Sequence, residues 1–175
     1  MKLIAIGAST SSTSINEQLA AHAASLVPDA QVTVFPLRDL TLPVYSEDEE
    51  KENGHPPDAQ RFLDAIAEHD GIVLSLAEHN GSYAAAFKNI YDWASRIEQK
   101  VWQGKPMLLL STSPGGRGGA TVLDAGKATF PRMGAELAAS FSLPGFYDNF
   151  SENGITDPDL ASQLNEAVEA FSDKI

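Results

Sequence analysis

Three short stretches of the chain concentrate hydrogen-bonding groups. GASTSSTSIN (7–16) holds six consecutive hydroxyl residues, Ser9 to Ser14, followed by Asn16. Hydroxyls beside the free backbone N–H groups of a helix N-terminus form an anion cradle that needs no positive side chain. A Ser-rich turn that merely caps the helix through Thr13 or Ser14 is the plainer reading. AEHNGSY (77–83) places Glu78, His79, Asn80 and Gly81 directly after an apolar run. Asn-Gly is a strong turn pair, and Ser82 is a candidate cap for the helix that follows. Backbone donors and acceptors there, with an imidazole and an amide, suit the edge of a flat heteroaromatic ring. STSPGGRGGAT (111–121) sets four glycines around Arg117, letting backbone approach a ligand closely with a guanidinium at hand. As ordinary turns, these glycines would only make a flexible loop.

These stretches share a position relative to the elements around them. KLIAIG (2–7), QVTVFPL (31–37), GIVLSL (71–76) and PMLLLST (106–112) are short apolar runs, the signature of strands buried on both faces. ELAASFSL (136–143) is a fifth candidate whose three alanines suit a helix equally well. Helical periodicity spans 14–27, 58–68, 82–97, 120–133 and 157–171, the last opened by TDPD. Alternating strands and helices imply right-handed βαβ units, and five strands imply a flavodoxin-like α/β three-layer sandwich with parallel order 2-1-3-4-5. Ligands of such sheets bind beyond the strands' carboxyl ends, where the order switches. All three polar loops fall at that edge.

The remaining sequence narrows the setting. A chain of 175 residues without repeats or an evident linker is expected to form a single domain, 1–175. The formal charge of −12 argues against general affinity for nucleic acid or anionic membrane. The chain has no cysteine, which excludes disulfides and thiolate chemistry and suits a reducing cytoplasm. The opening MKLIAIGAST reads as neither a signal peptide nor a membrane span. LPVYSEDEEKENGHPPD (42–58) reads as a solvated acidic loop, with no ordered metal-ligand spacing among Asp48, Glu49 and Glu52. No Ser-His-Asp arrangement or HExxH motif appears, so neither a catalytic triad nor a metal site is expected.

EHNGSYAAAFKNIYDWASR (78–96) resembles the PEYNGS…LKNAIDW segment of the NAD(P)H-dependent FMN reductase family, a flavodoxin-like group that includes quinone, chromate and azo-dye reductases. GKPMLLLSTSPGGRGG (104–119) and LPVYSED (42–48) are similar to that family as well, and the likeness runs from about residue 1 to 145. It implies that Ser9, Ser11, Ser14, Ile15 and Asn16 surround the phosphate of FMN. Glu78, His79, Asn80 and Gly81 would contact the flavin, with Ser113, Gly115, Gly116 and Arg117 on its other side. Two departures stand out: Ala8 and Ser11 replace the Gly and Arg of GSxRxxSxN, and AEHN replaces PEYN. The missing Arg removes a charge-assisted hydrogen bond worth about 1.5–3 kcal/mol.

The resemblance implies electron transfer from NADPH or NADH through FMN to a quinone, free FMN or another small-molecule acceptor, with no catalytic side chain required. A flavodoxin-type electron carrier and a flavin-binding homologue without turnover are the alternatives. The first loop lacks the TxTGxT pattern of flavodoxins. Helix 82–97 carries more apolar surface than one core-facing stripe needs, chiefly Tyr83 and Trp93. The surplus is expected to cover loop 143–150 or to form a homodimer, or a dimer of dimers, as relatives do.

Overall fold

A computed structural model describes residues Met1–Ile175. Its elements follow in the order β1 (Lys2–Ala8), α1 (Ile15–Ser25), β2 (Gln31–Phe35), α2 (Glu47–Asn53), α3 (Pro57–Ala67), β3 (Gly71–His79), β4 (Ser82–Tyr83), α4 (Ala85–Ile97), β5 (Pro106–Thr112), α5 (Ala120–Thr129), β6 (Glu136–Leu143), α6 (Phe146–Asn149), β7 (Phe150–Ser151), β8 (Gly154–Ile155) and α7 (Pro158–Ser172). Five parallel strands pair in the order β2-β1-β3-β5-β6. This is the expected 2-1-3-4-5 order once the two-residue β4, antiparallel to the end of β3, is set aside.

Alternation within the strands builds two cores. Ile4, Ile6, Ile72, Leu74, Met107 and Leu109 face α3, α4 and α5. Leu3, Ala5, Val73, Leu108 and Leu110 face α1 and α7. Burial on both faces explains the continuous apolar runs of β1, β3 and β5. Strand β2 at the sheet edge is largely exposed, which accounts for its polar Gln31 and Thr33. No helix is long and apolar enough to cross a membrane.

Three segments differ from expectation. The 42–58 stretch contains helix α2, capped by Ser46 accepting from Glu49 N, rather than a featureless loop. Ser82 does not cap α4: it pairs with His79 in a hairpin whose turn residues, Asn80 (φ 52°) and Gly81 (φ 74°), both take positive φ. Trp93 is fully buried by its own chain, edge-on to Tyr45 at 5.0 Å, with Nε1 donating to Pro43 O at 2.8 Å. Tyr83 stacks on Phe130 at 5.9 Å. Trp93 is therefore not surplus surface, while Tyr83 stays partly exposed.

Candidate functional site

The carboxyl ends of β1, β3 and β5 open into one cleft of about 270 Å³, beside the point where chain order switches between β1 and β3. Each wall is built by local chemistry. At the end of β1, Gly7 lets helix α1 approach the strand, since a Cβ there would lie 2.5 Å from Glu17 Cα. The loop then folds through its own hydroxyls. Ser9 Oγ accepts from Ser11 N at 3.2 Å, Ser11 Oγ from Thr13 N at 3.3 Å, and Ser14 Oγ from Glu17 N at 3.1 Å. Each of these oxygens accepts from backbone, which leaves the hydroxyl hydrogens of Ser9 and Ser14 for another acceptor, while Ser11 Oγ also lies 3.4 Å from Thr13 Oγ1. Backbone N–H groups of Ile15 and Asn16, in the first turn of α1, have no acceptor within the chain. Ser14 therefore caps α1, and its capping does not exclude a cradle.

Asn16 has a further task. Its buried amide donates to Thr112 O at 3.2 Å and accepts from Thr112 N at 3.1 Å and from Ser75 Oγ at 2.7 Å. One side chain thus ties α1 to β3 and β5 at the floor of the cleft, while its backbone N–H has no acceptor within the chain. Glu78 works in a similar way. Its carboxylate accepts from Val122 N at 3.0 Å, capping the first turn of α5 and fastening the second loop to the third.

In the third loop, Gly118 sits at φ 57°, and a Cβ there would lie 2.9 Å from the Leu143 carbonyl carbon. Its own carbonyl accepts from Ser111 Oγ at 2.7 Å and from Ser142 Oγ at 2.9 Å, which fixes the turn. The loop also holds the segment after β6: Gly145 N donates to Gly115 O at 3.0 Å and Phe146 N to Ser113 O at 3.1 Å.

Of the candidate site residues, Ser9, Ser11, Ser14, Ile15, Asn16, Glu78, His79 and Ser113 all line this cleft. Asn80, Gly81, Gly115, Gly116 and Arg117 lie outside its lining, on exposed turns. Arg117 Nη2 donates instead to Thr121 Oγ1 at 3.0 Å. Thr13, Ala77, Thr112, Pro114 and Tyr147 line the cleft without having been singled out. The first four adjoin motif residues. Tyr147 comes from a segment with no motif, and only the fold brings it in.

An apolar groove adjoins the cleft at Thr10, lined by Leu37, Leu40, Leu42, Val44 and the first turns of α4. Its outer wall is the 42–50 segment. Asn89 Nδ2 donates to Pro43 O at 2.9 Å, Tyr45 N donates to Asn89 Oδ1 at 2.9 Å, and Arg96 Nε donates to Glu50 at 3.0 Å. Partial desolvation pulls the Glu50 carboxyl upward, but hydrogen bonds from His55, Arg96 and Tyr45 outweigh it and hold the group below its usual range.

Comparison with known proteins agrees with this geometry. The family model described as NADPH-dependent FMN reductase matches residues 1–148. A 2-hydroxy-1,4-benzoquinone reductase from a Burkholderia species is 38% identical over 122 residues, covering 69% of this chain and 64% of its own. An NAD(P)H-dependent FMN reductase of Pseudomonas aeruginosa is 35% identical over 116 residues, covering 66% and 61%. The matched region thus spans less than two thirds of either relative's length. Among solved structures, the flavoenzyme NAD(P)H:(acceptor) oxidoreductase FerB of Paracoccus denitrificans superimposes with a TM-score of 0.77 at 26% identity, covering 99% of this chain and 96% of its own. The donor set fits FMN. Free N–H groups and hydroxyl hydrogens suit a phosphate monoester, and the backbone at Gly115 and Gly116, beyond the cleft's lining, is uncrowded.

Proposed function

Because the chain belongs to the NADPH-dependent FMN reductase family, we propose that it is an FMN-dependent oxidoreductase, drawing electrons from NADPH or NADH. Its acceptor is free FMN, a quinone or another small organic molecule. The observation that carries this reading is the convergence of three polar loops on one cleft with unspent backbone and hydroxyl donors. When bound, FMN supplies the redox chemistry. The chain's own residues do the rest. Ser9, Ser11, Ser14 and the N–H groups of Ile15 and Asn16 hold the phosphate, while Glu78, His79, Asn80, Gly81 and Ser113 frame the ring, with Gly115, Gly116 and Arg117 at its outer edge. The apolar groove beside Thr10 receives the flat body of the second substrate.

Three further elements belong to the same proposal. Residues 1–175 act as one FMN-binding domain. The protein works in the cytoplasm, where reduced nicotinamide is supplied. It pairs as a homodimer or a dimer of dimers, closed two-fold pairs being the commonest assembly of soluble proteins.

Purification tests the reading directly. The expected result is a yellow protein that releases FMN and oxidises NADPH or NADH when a quinone is added. Flavin bound without nicotinamide oxidation would identify a carrier, and failure to bind any flavin would overturn the assignment. Light scattering at micromolar concentration reads the assembly, and a monomer that binds FMN fully would overturn the pairing.

A further inference from the structure

Every residue lining the cradle cleft comes from the last residues of β3 and β5, the loops after β1 and β5 or the first turn of α1, with one exception, Tyr147. This ring is 71% exposed, the only aromatic among the chain's exposed large hydrophobic residues. Its phenol makes no hydrogen bond within the chain, so neither core packing nor a polar partner accounts for its position.

The backbone that carries it is firmly held. Gly145 N and Phe146 N bond the third loop, Asp148 N and Asn149 N donate to Gly145 O, and Asn149 Nδ2 donates to Pro144 O at 2.9 Å. Phe146 is buried and stacks on Phe150 at 4.7 Å, with the Tyr147 ring edge-on to Phe146 at 5.6 Å. Phe146 and Phe150 anchor the turn to the core. Tyr147, between them, is left to face the cleft. A large aromatic face kept at a polar cleft by an anchored turn is suited to stack on a planar ligand at little conformational cost.

We propose that Tyr147 is a flavin-binding residue, its ring forming a fourth wall that stacks on the isoalloxazine held by the three loops. The proposal rests on the FMN reading above. It adds an aromatic contact from outside the motif-bearing loops, and it makes part of the affinity independent of the phosphate.

Titration of apo-protein with FMN and with riboflavin, followed by flavin fluorescence, tests this in Tyr147→Ala and Tyr147→Phe. The alanine variant is expected to bind both flavins about 3–10-fold more weakly, the usual worth of one aromatic pair, and to lose part of the fluorescence quenching. The phenylalanine variant should keep affinity and quenching near wild type, and the exposed position should leave the melting temperature of both variants unchanged. Unaltered affinity and quenching in Tyr147→Ala would overturn the proposal. So would a loss confined to FMN and shared by Tyr147→Phe, which would mark a phenol–phosphate contact instead. A wild type that binds neither flavin would overturn this proposal and the FMN reading together, whereas binding without a Tyr147 effect would overturn this one alone.

Discussion

At the scale of single residues, the proposed function asks several neutral donors of the hydroxyl loop to stand in for one charged phosphate ligand. One neutral hydrogen bond contributes about 0.5–1.5 kcal/mol, so two or three are needed to match one arginine contact. Ser9→Ala should therefore weaken FMN by about 0.5–1.5 kcal/mol and leave riboflavin unaffected. Ser14→Ala should do the same and also destabilise the fold by about 1 kcal/mol, because Ser14 Oγ caps α1. Titration with both flavins, alongside urea unfolding, separates the effects, and equal losses for FMN and riboflavin would dismiss the phosphate assignment. Asn16 belongs to a different class. Its removal orphans Thr112 N, Thr112 O and the Ser75 hydroxyl, all buried, so Asn16→Ala is expected to cost about 2–4 kcal/mol in urea unfolding. A cost below about 1 kcal/mol would show that water replaces the amide. The motif residue thus reads as a ligand in the sequence, while its side chain is spent on the scaffold.

At the scale of elements, the sequence reveals strands and crossovers well where both cores press on them. The runs at β1, β3 and β5 are apolar because helices cover both faces, so composition alone marks them. Strand β6 is different. Its alanines are compatible with either structure, and the ladder offered by β5, from Pro106–Glu136 to Thr112–Leu143, decides the matter. The β3–β4 hairpin is equally hidden, because a cap and a two-residue strand share the same serine. Helix α2 shows the limit most plainly. It buries none of its residues, so no apolar stripe announces it, and contacts to α4 hold it in place. Of those contacts, the Arg96–Glu50 pair is half open to solvent at the guanidinium, where ion pairs contribute little. The Trp93 indole is fully buried and edge-on to Tyr45, so a smaller ring leaves a void beneath residues 43–45 as well as losing the bond to Pro43 O, which keeps only its bond from Asn89 Nδ2. Trp93→Phe should therefore loosen the groove wall more than Arg96→Ala. Limited proteolysis within residues 44–55 is the measurement, and faster cleavage of Arg96→Ala than of Trp93→Phe would reverse the ranking.

At the scale of the whole molecule, the C-terminal ribbon links the cleft to the opposite end of α1. His22 of α1 lies edge-on to Phe150 at 5.5 Å, and its ring occupies the space where a Cβ on Gly154 would stand. Strands β7 and β8 continue directly from the turn that presents Tyr147, and Thr156 N donates back to Asn149 O at 2.9 Å. Half-burial pushes the His22 imidazole below its ordinary 6.5. The unfolded chain therefore takes up the proton first as the medium acidifies. Stability is complete above about pH 6.5 and declines as the pH falls below it, toward the depressed pKa of the folded state. Carboxylates act in a separate window. A backbone hydrogen bond from Lys2 holds Asp70 below its ordinary 3.8, so its contribution is present above that value and is lost only in stronger acid. The melting temperature should accordingly fall in two stages, one setting in below about pH 6.5 and one, to which Glu50 also contributes, setting in below about pH 4.5. His22→Asn should flatten the first stage and leave the second intact. Because the ribbon and the Tyr147 turn are one segment, FMN affinity should decline through the first stage in the wild type and less in His22→Asn. A first stage equally steep in both proteins would show that His22 does not govern it.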